Sequence, residues 1–170
     1  LVGSAHSLLP FIVWLIALIG LVAIVVFDFR WMIIPDSIVI PLTVLAIALI
    51  VVESTFLHGG TDVIKDAVVG LVIGGGFFYA ILELSKGKWI GGGDVKLGFA
   101  LGLLLGARDA FIALYAASLL GLLVMVVGMA TKRISRKSKI PFGPFLIAGA
   151  ILAKFFGKAI WQWYSRKLGA

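Results

Sequence analysis

An all-α, polytopic membrane protein with about six transmembrane helices is the fold class this sequence predicts. Apolar residues make up 62% of the chain and charged residues only 14%. The mean hydropathy is +1.17, far from the composition of a soluble globule. The apolar residues also fall in long continuous runs, where a membrane barrel strand would alternate. In lipid the backbone must satisfy its own polar groups, so such runs are read as helices.

Six spans follow in order: Leu8 to Phe27, Ser37 to Leu57, Ala67 to Leu84, Val95 to Gly106, Ala110 to Ala130 and Pro144 to Tyr164. The first is long enough to cross unaided and carries no charge. It lacks the basic n-region and small-residue cleavage site of a signal peptide. Pro35, Asp36 and Ser37 read as a loop ending in a helix N-cap supplied by Asp36. In the third span Gly70, Gly74, Gly75 and Gly76, and in the fourth Gly98 and Gly102, are expected to let helix backbones approach closely. The fourth span is short for a full crossing, which calls for tilt, local thinning or a deep start. Pro141, Gly143 and Pro144 shape the return into the last span and stand as a border of any site nearby. The 170 residues are expected to form one membrane-embedded domain, 1–170.

The formal charge of +7 is assigned to topology. Arg30, Lys86, Lys88, Lys132, Arg133, Arg136, Lys137 and Lys139 fall on one face, whereas the opposite connections carry Lys65 and Arg108 against Asp62, Asp66 and Asp109. Lys/Arg enrichment marks cytoplasmic loops. Nucleic acid is therefore not an expected partner, and the loop from Lys132 to Lys139 is assigned to anionic headgroups. With no cysteine there is no thiol nucleophile and no Cys-ligated zinc. His6 and His58 have no metal-ligand spacing and are placed in exposed loops. No metal and no cofactor are expected. Ser85, Ser118, Ser135 and Ser138 show no base-and-orienter arrangement for nucleophilic catalysis.

Chemistry is expected at Asp28 and Asp94. Each lies where an apolar run meets a polar connection, and two spans separate them, so the chain returns to the same face. Carboxylates there are costly and mark a functional site. Gly91, Gly92 and Gly93 precede Asp94 and clear side chains from its surroundings, which would admit an extended peptide; a flexible connection ending in a capping Asp fits the same residues. Asp28 alone also fits a salt bridge to Arg30. Lys96 either biases the pair toward ionisation or snorkels to the interface. If the carboxyls meet, they titrate as a unit, one a base toward a water and the other an acid toward a scissile carbonyl. A small proton or ion transporter, or a structural assembly subunit with capping aspartates, are the alternatives from other classes.

Asp28 with Arg30 and Pro35-Asp36, then Gly91-Gly92-Gly93-Asp94 with Lys96, then Pro141-Phe142-Gly143-Pro144-Phe145, in that order, together resemble the type IV prepilin peptidase family. The resemblance runs from the first span to the last. It implies a GxGD-type membrane aspartic endopeptidase that removes the basic leader from prepilins or pilin-like proteins at the cytoplasmic face of the cytoplasmic membrane. The implied catalytic residues are Asp28 and Asp94; substrate-binding residues are left unassigned, with Gly91, Gly92, Gly93 and Lys96 as motif-adjacent candidates. A GxGD intramembrane protease with other substrates is the nearest alternative. Two-domain members of the family also carry an N-terminal segment with paired cysteines and methyltransferase activity. This chain, with seven residues before its first span, is read as a peptidase without that segment, standing alone or as half of a longer protein.

Overall fold

The computed structural model describes residues 2–56, 60–132 and 140–168, without the side chains of 2–7, 9 and 168. His58, Ser135, Ser138 and the basic residues from Arg133 to Lys139 lie outside the described residues, as does the side chain of His6. In chain order the elements are α1 (Val2–Trp31), α2 (Asp36–Thr55), α3 (Gly60–Leu71), a π-helical turn (Val72–Gly76), α4 (Phe77–Ser85), α5 (Gly92–Ala130) and α6 (Gly143–Leu168). Among the described residues there is no strand. Five helical stretches are long and apolar enough to cross a membrane, and the chain is an integral membrane protein.

The expected fourth and fifth spans lie within α5, whose 39 residues are broken at Gly106 (φ 75°, ψ 175°). On a straight helix Gly98 and Gly121 would stand ~34 Å apart. Instead Gly98 packs on Phe78, Phe78 meets the ring of Phe142 edge-on at 5.5 Å, and Phe142 lies against Gly121. The helix therefore doubles back at Gly106. Its first arm, 92–105, packs on α3 and the π turn; its second, 107–130, packs on α6. The first arm is only about 21 Å long, short of the ~30 Å hydrocarbon layer.

Small residues make these contacts possible. A Cβ on Gly74 would stand 2.5 Å from the Gly98 carbonyl oxygen, and one on Gly98 the same distance from the Gly74 carbonyl. Gly70 and Gly102 meet in the same way, while Gly75 faces the ring of Phe99. Gly76 departs from the expectation: a Cβ there meets only Val72, at an ordinary 3.6 Å. The fully buried set is accordingly rich in alanine, with Ala17, Ala46, Ala117, Ala150 and Ala153. Lipid is as apolar as leucine, so close backbone packing and not burial of large side chains distinguishes this interior. Large residues such as Phe11, Ile16 and Ile19 face outward along α1.

Two loop expectations change. Asp36 is not the N-cap of α2: Pro35 holds that position with extended backbone (φ −72°, ψ 128°), and Asp36 is the first helical residue. Its side chain makes no cap bond and reaches Lys96 instead. At the end of α1, Met32 adopts φ 52° and donates its N–H to the Asp28 carbonyl at 2.9 Å. That left-handed residue turns the chain sharply, so that 33–35 run directly into α2.

Candidate active site

Asp28 sits in the last turn of α1 and is 5% exposed. Its Oδ2 accepts a hydrogen bond from the Gly143 N–H at 3.1 Å. Gly143 opens α6, and the first amides of a helix have no partner within it, so this donor is free to serve a carboxylate. The approach is close: a Cβ at position 143 would lie 2.5 Å from Oδ2 of Asp28 and 3.4 Å from Cδ1 of Ile34. Phe142 fixes the segment by packing between Phe78 on α4 and Phe145 on α6. A chain of contacts thus runs from Gly98 of α5, through the rings of Phe78 and Phe142, to Gly143 and the carboxyl of Asp28.

Asp94 is the third residue of α5 and is partly buried. Its backbone N–H donates to the Gly91 carbonyl at 3.1 Å, and its Oδ2 accepts from the Gly91 N–H at a long 3.4 Å. The turn is thus closed by the aspartate itself, and its side chain keeps acceptor capacity for a further donor. Gly93 lies against Ile34, where a Cβ would stand 3.0 Å away; a Cβ at Gly92 would meet nothing within 4 Å. The second glycine therefore leaves one side of the turn open.

Asp28 and Asp94 line one cavity of about 280 Å³ with Met32, Ile33, Ile34, Gly91, Gly92 and Gly93. Five of the six residues singled out from sequence, Asp28, Asp94 and the three glycines, meet there. The sixth, Lys96, does not line the cavity: its Nζ binds both oxygens of Asp36 at 2.8 Å. The expectation that it bears on the aspartates or snorkels freely is replaced by this pair. Nor is Asp28 bridged to Arg30, whose guanidinium lies 5.1 Å from the Trp31 ring centroid. Sequence reasoning missed Met32, Ile33 and Ile34, which carry no motif signal, and reached Gly143 only as a border through its prolines.

Two further features narrow the chemistry. Ser85 and Ser118 spend their hydroxyls on the carbonyls of Leu82 and Leu114 one helical turn back, at 3.3 and 2.8 Å. A wider hollow of about 470 Å³ between α1, α5 and α6 is walled only by apolar side chains, Val22, Leu120 and Phe145 among them, and offers no titratable group.

Residues 15–126 match the type IV leader peptidase family, a stretch that includes both aspartates. The chain belongs to the type IV leader peptidase family. Within it, similar proteins are the prepilin leader peptidase/N-methyltransferases of Bacillus subtilis (31% identity, 95% of this chain and 61% of that protein), Aeromonas hydrophila (34%, 85% and 49%) and Legionella pneumophila (32%, 88% and 52%). The chain thus spans about half to three fifths of the curated relatives' length. No solved structure matches. Membership in this peptidase family accords with a site built from two carboxyl groups and an open glycine turn.

Proposed function

We propose that residues 1–170 form a single membrane-embedded aspartic peptidase domain that cleaves the basic leader from prepilins or pilin-like proteins. Asp28 and Asp94 are its catalytic residues. The observation that carries this reading is the shared cavity, which brings together two carboxyl groups distant in sequence beside an unobstructed glycine turn. Family membership supplies the reaction class.

The two carboxyl groups hold one proton between them, as carboxylates sharing a site do. The ionised member takes a proton from a water lying between them, and the oxygen attacks the scissile carbonyl carbon. The protonated member donates toward the carbonyl oxygen, giving a neutral tetrahedral intermediate. Collapse breaks the C–N bond as a proton passes to the leaving amine, and the pair is left again with one proton. Gly143 orients Asp28 with its N–H, and Gly92 leaves room for an extended backbone beside Asp94.

Positive charge at Arg30, Lys86, Lys88 and Lys132, with the further basic residues of 133–139, supports a cytoplasmic setting for this end of the bundle in the cytoplasmic membrane. A substrate held by its own apolar helix would then present the bond at the headgroup level. Such confinement raises its local concentration.

Prepilin processing by membranes containing the wild-type chain, Asp28→Asn or Asp94→Asn tests the reading. Cleavage by the wild type and none by either variant is expected. Processing at the wild-type rate by either Asn variant would exclude the dyad. Unrelated single-span proteins in the same membranes report whether prepilins are the substrate class.

A further inference from the structure

The cavity has two walls that belong to different parts of the chain. One is the connection Met32, Ile33 and Ile34; the other is the turn Gly91 to Gly93 leading into Asp94. Each wall runs directly into a charged residue of opposite sign. Asp36 follows Ile34 by two positions and Lys96 follows Asp94 by two, and they meet with Nζ equidistant from both carboxylate oxygens at 2.8 Å. Besides this pair, Ile34 packs on Gly93 between the same two walls.

We propose that Asp36 and Lys96 are positioning residues: a clasp that holds the 32–35 connection against the start of α5 and so sets the spacing of Asp28 and Asp94. The proposal rests on the peptidase reading. Both side chains are about half exposed, 52% for Asp36 and 55% for Lys96. An exposed pair of this kind contributes little to global stability. Its placement matters for a different reason. Asp28 is fixed from α6 through Gly143, whereas among the described residues Asp94 accepts only the long bond from its own turn. The start of α5 is therefore the looser half of the site, and Lys96, the fifth residue of that helix, ties it to the first residue of α2. Small displacements of reacting groups cost large factors in rate.

Double-mutant kinetics on prepilin cleavage tests the clasp, under conditions where the wild type cuts and Asp94→Asn does not. Asp36→Asn and Lys96→Gln should each lower kcat about tenfold, with KM within about twofold of wild type and the melting temperature in detergent unchanged. Asp36→Asn/Lys96→Gln should be no slower than either single variant, because one tether is lost once. Full turnover by a single variant, or multiplication to about a hundredfold loss in the double, overturns the proposal while leaving the dyad standing. Should neutralisation disturb folding, the Asp36→Cys/Lys96→Cys pair supplies the only thiols in a chain without cysteine. Bridging them with a short bis(methanethiosulfonate) reagent, which forms one disulfide with each thiol and releases methanesulfinate from each end, should restore turnover, and reductant should remove it again. Bridged enzyme as slow as unbridged at two linker lengths also overturns the clasp.

Discussion

Two pairs of carboxylates at opposite ends of this bundle are held in opposite ways. At the end where α5 reverses, Asp109 is 8% exposed and held by Arg108 Nε at 2.7 Å. Asp66 accepts the Ala107 N–H at 3.2 Å and lies against Gly106. Both of these carboxylates have a short-range partner that completes a turn or offsets their charge. At the other end, among the described residues, Asp28 accepts from the Gly143 N–H and Asp94 from the Gly91 N–H, and the lysine nearest in sequence to Asp94 is committed to Asp36. On the proposed reading, partnered acids build the fold, and the two acids facing the glycine-lined cavity carry the proton transfer.

The largest separation between the ends should come from removing charge without removing shape. Asn at position 28 or 94 can still accept the bond from Gly143 or Gly91, so the fold is retained while the proton exchange is lost. Cleavage should fall by at least about a thousandfold, with melting temperature in detergent equal to or above wild type. Next in size is Gly143→Ala. The nearest atom to the new methyl group is the free end of the Asp28 side chain, which can swing aside. That makes the substitution mild for folding and severe for geometry: kcat should drop about a hundredfold while the protein melts within a few degrees of wild type. A matched loss of stability and activity would show that the glycine serves packing alone.

Much of this arrangement was legible in the residues, and the exceptions have physical causes. Continuous apolar runs report spans directly, and the even number of crossings between Asp28 and Asp94 correctly put them at one end. The break at Gly106 falls on the last residue of the expected fourth span, yet only the structure shows one helical element folding back there. Asp36 was misread because Asp favours the N-cap in general, while Pro35 already had the extended backbone that position needs. The bond from Asp36 to Lys96 joins residues 60 positions apart, a pairing that no local propensity encodes. Met32, Ile33 and Ile34 line the cavity because a left-handed turn throws them there. A methionine in that conformation leaves no trace in sequence.

At the partnered end the effects should be on stability. Gly106 combines φ 75° with ψ 175°, a region essentially restricted to glycine, and a Cβ there would collide with the carboxylate of Asp66. Gly106→Ala should cost about 1–3 kcal/mol, read as a lower melting temperature in detergent. Protein that remains folded should keep its cleavage rate, because the cavity is at the far end of the first arm. A rate lost without a change in melting would mean that the hairpin angle is transmitted to Asp94.

The smallest expected effect is at Asp66. Its carboxylate accepts an N–H at the start of the second arm of α5, so α3 caps a helix to which it is not joined in sequence. Asp66→Asn keeps an acceptor of the same shape and should cost under about 0.5 kcal/mol, whereas Asp66→Ala leaves the Ala107 amide without this partner and should cost about 1 kcal/mol, the usual range for a lost cap. Both variants should process prepilin at the wild-type rate. The contrast with Asp28→Asn is the sharpest form of the comparison: the same chemical change, at the same kind of helix terminus, should abolish turnover at one end of the bundle and leave it intact at the other. Equal sensitivity of the two ends would mean that coupling through α5 decides activity more than the local partnering of each acid.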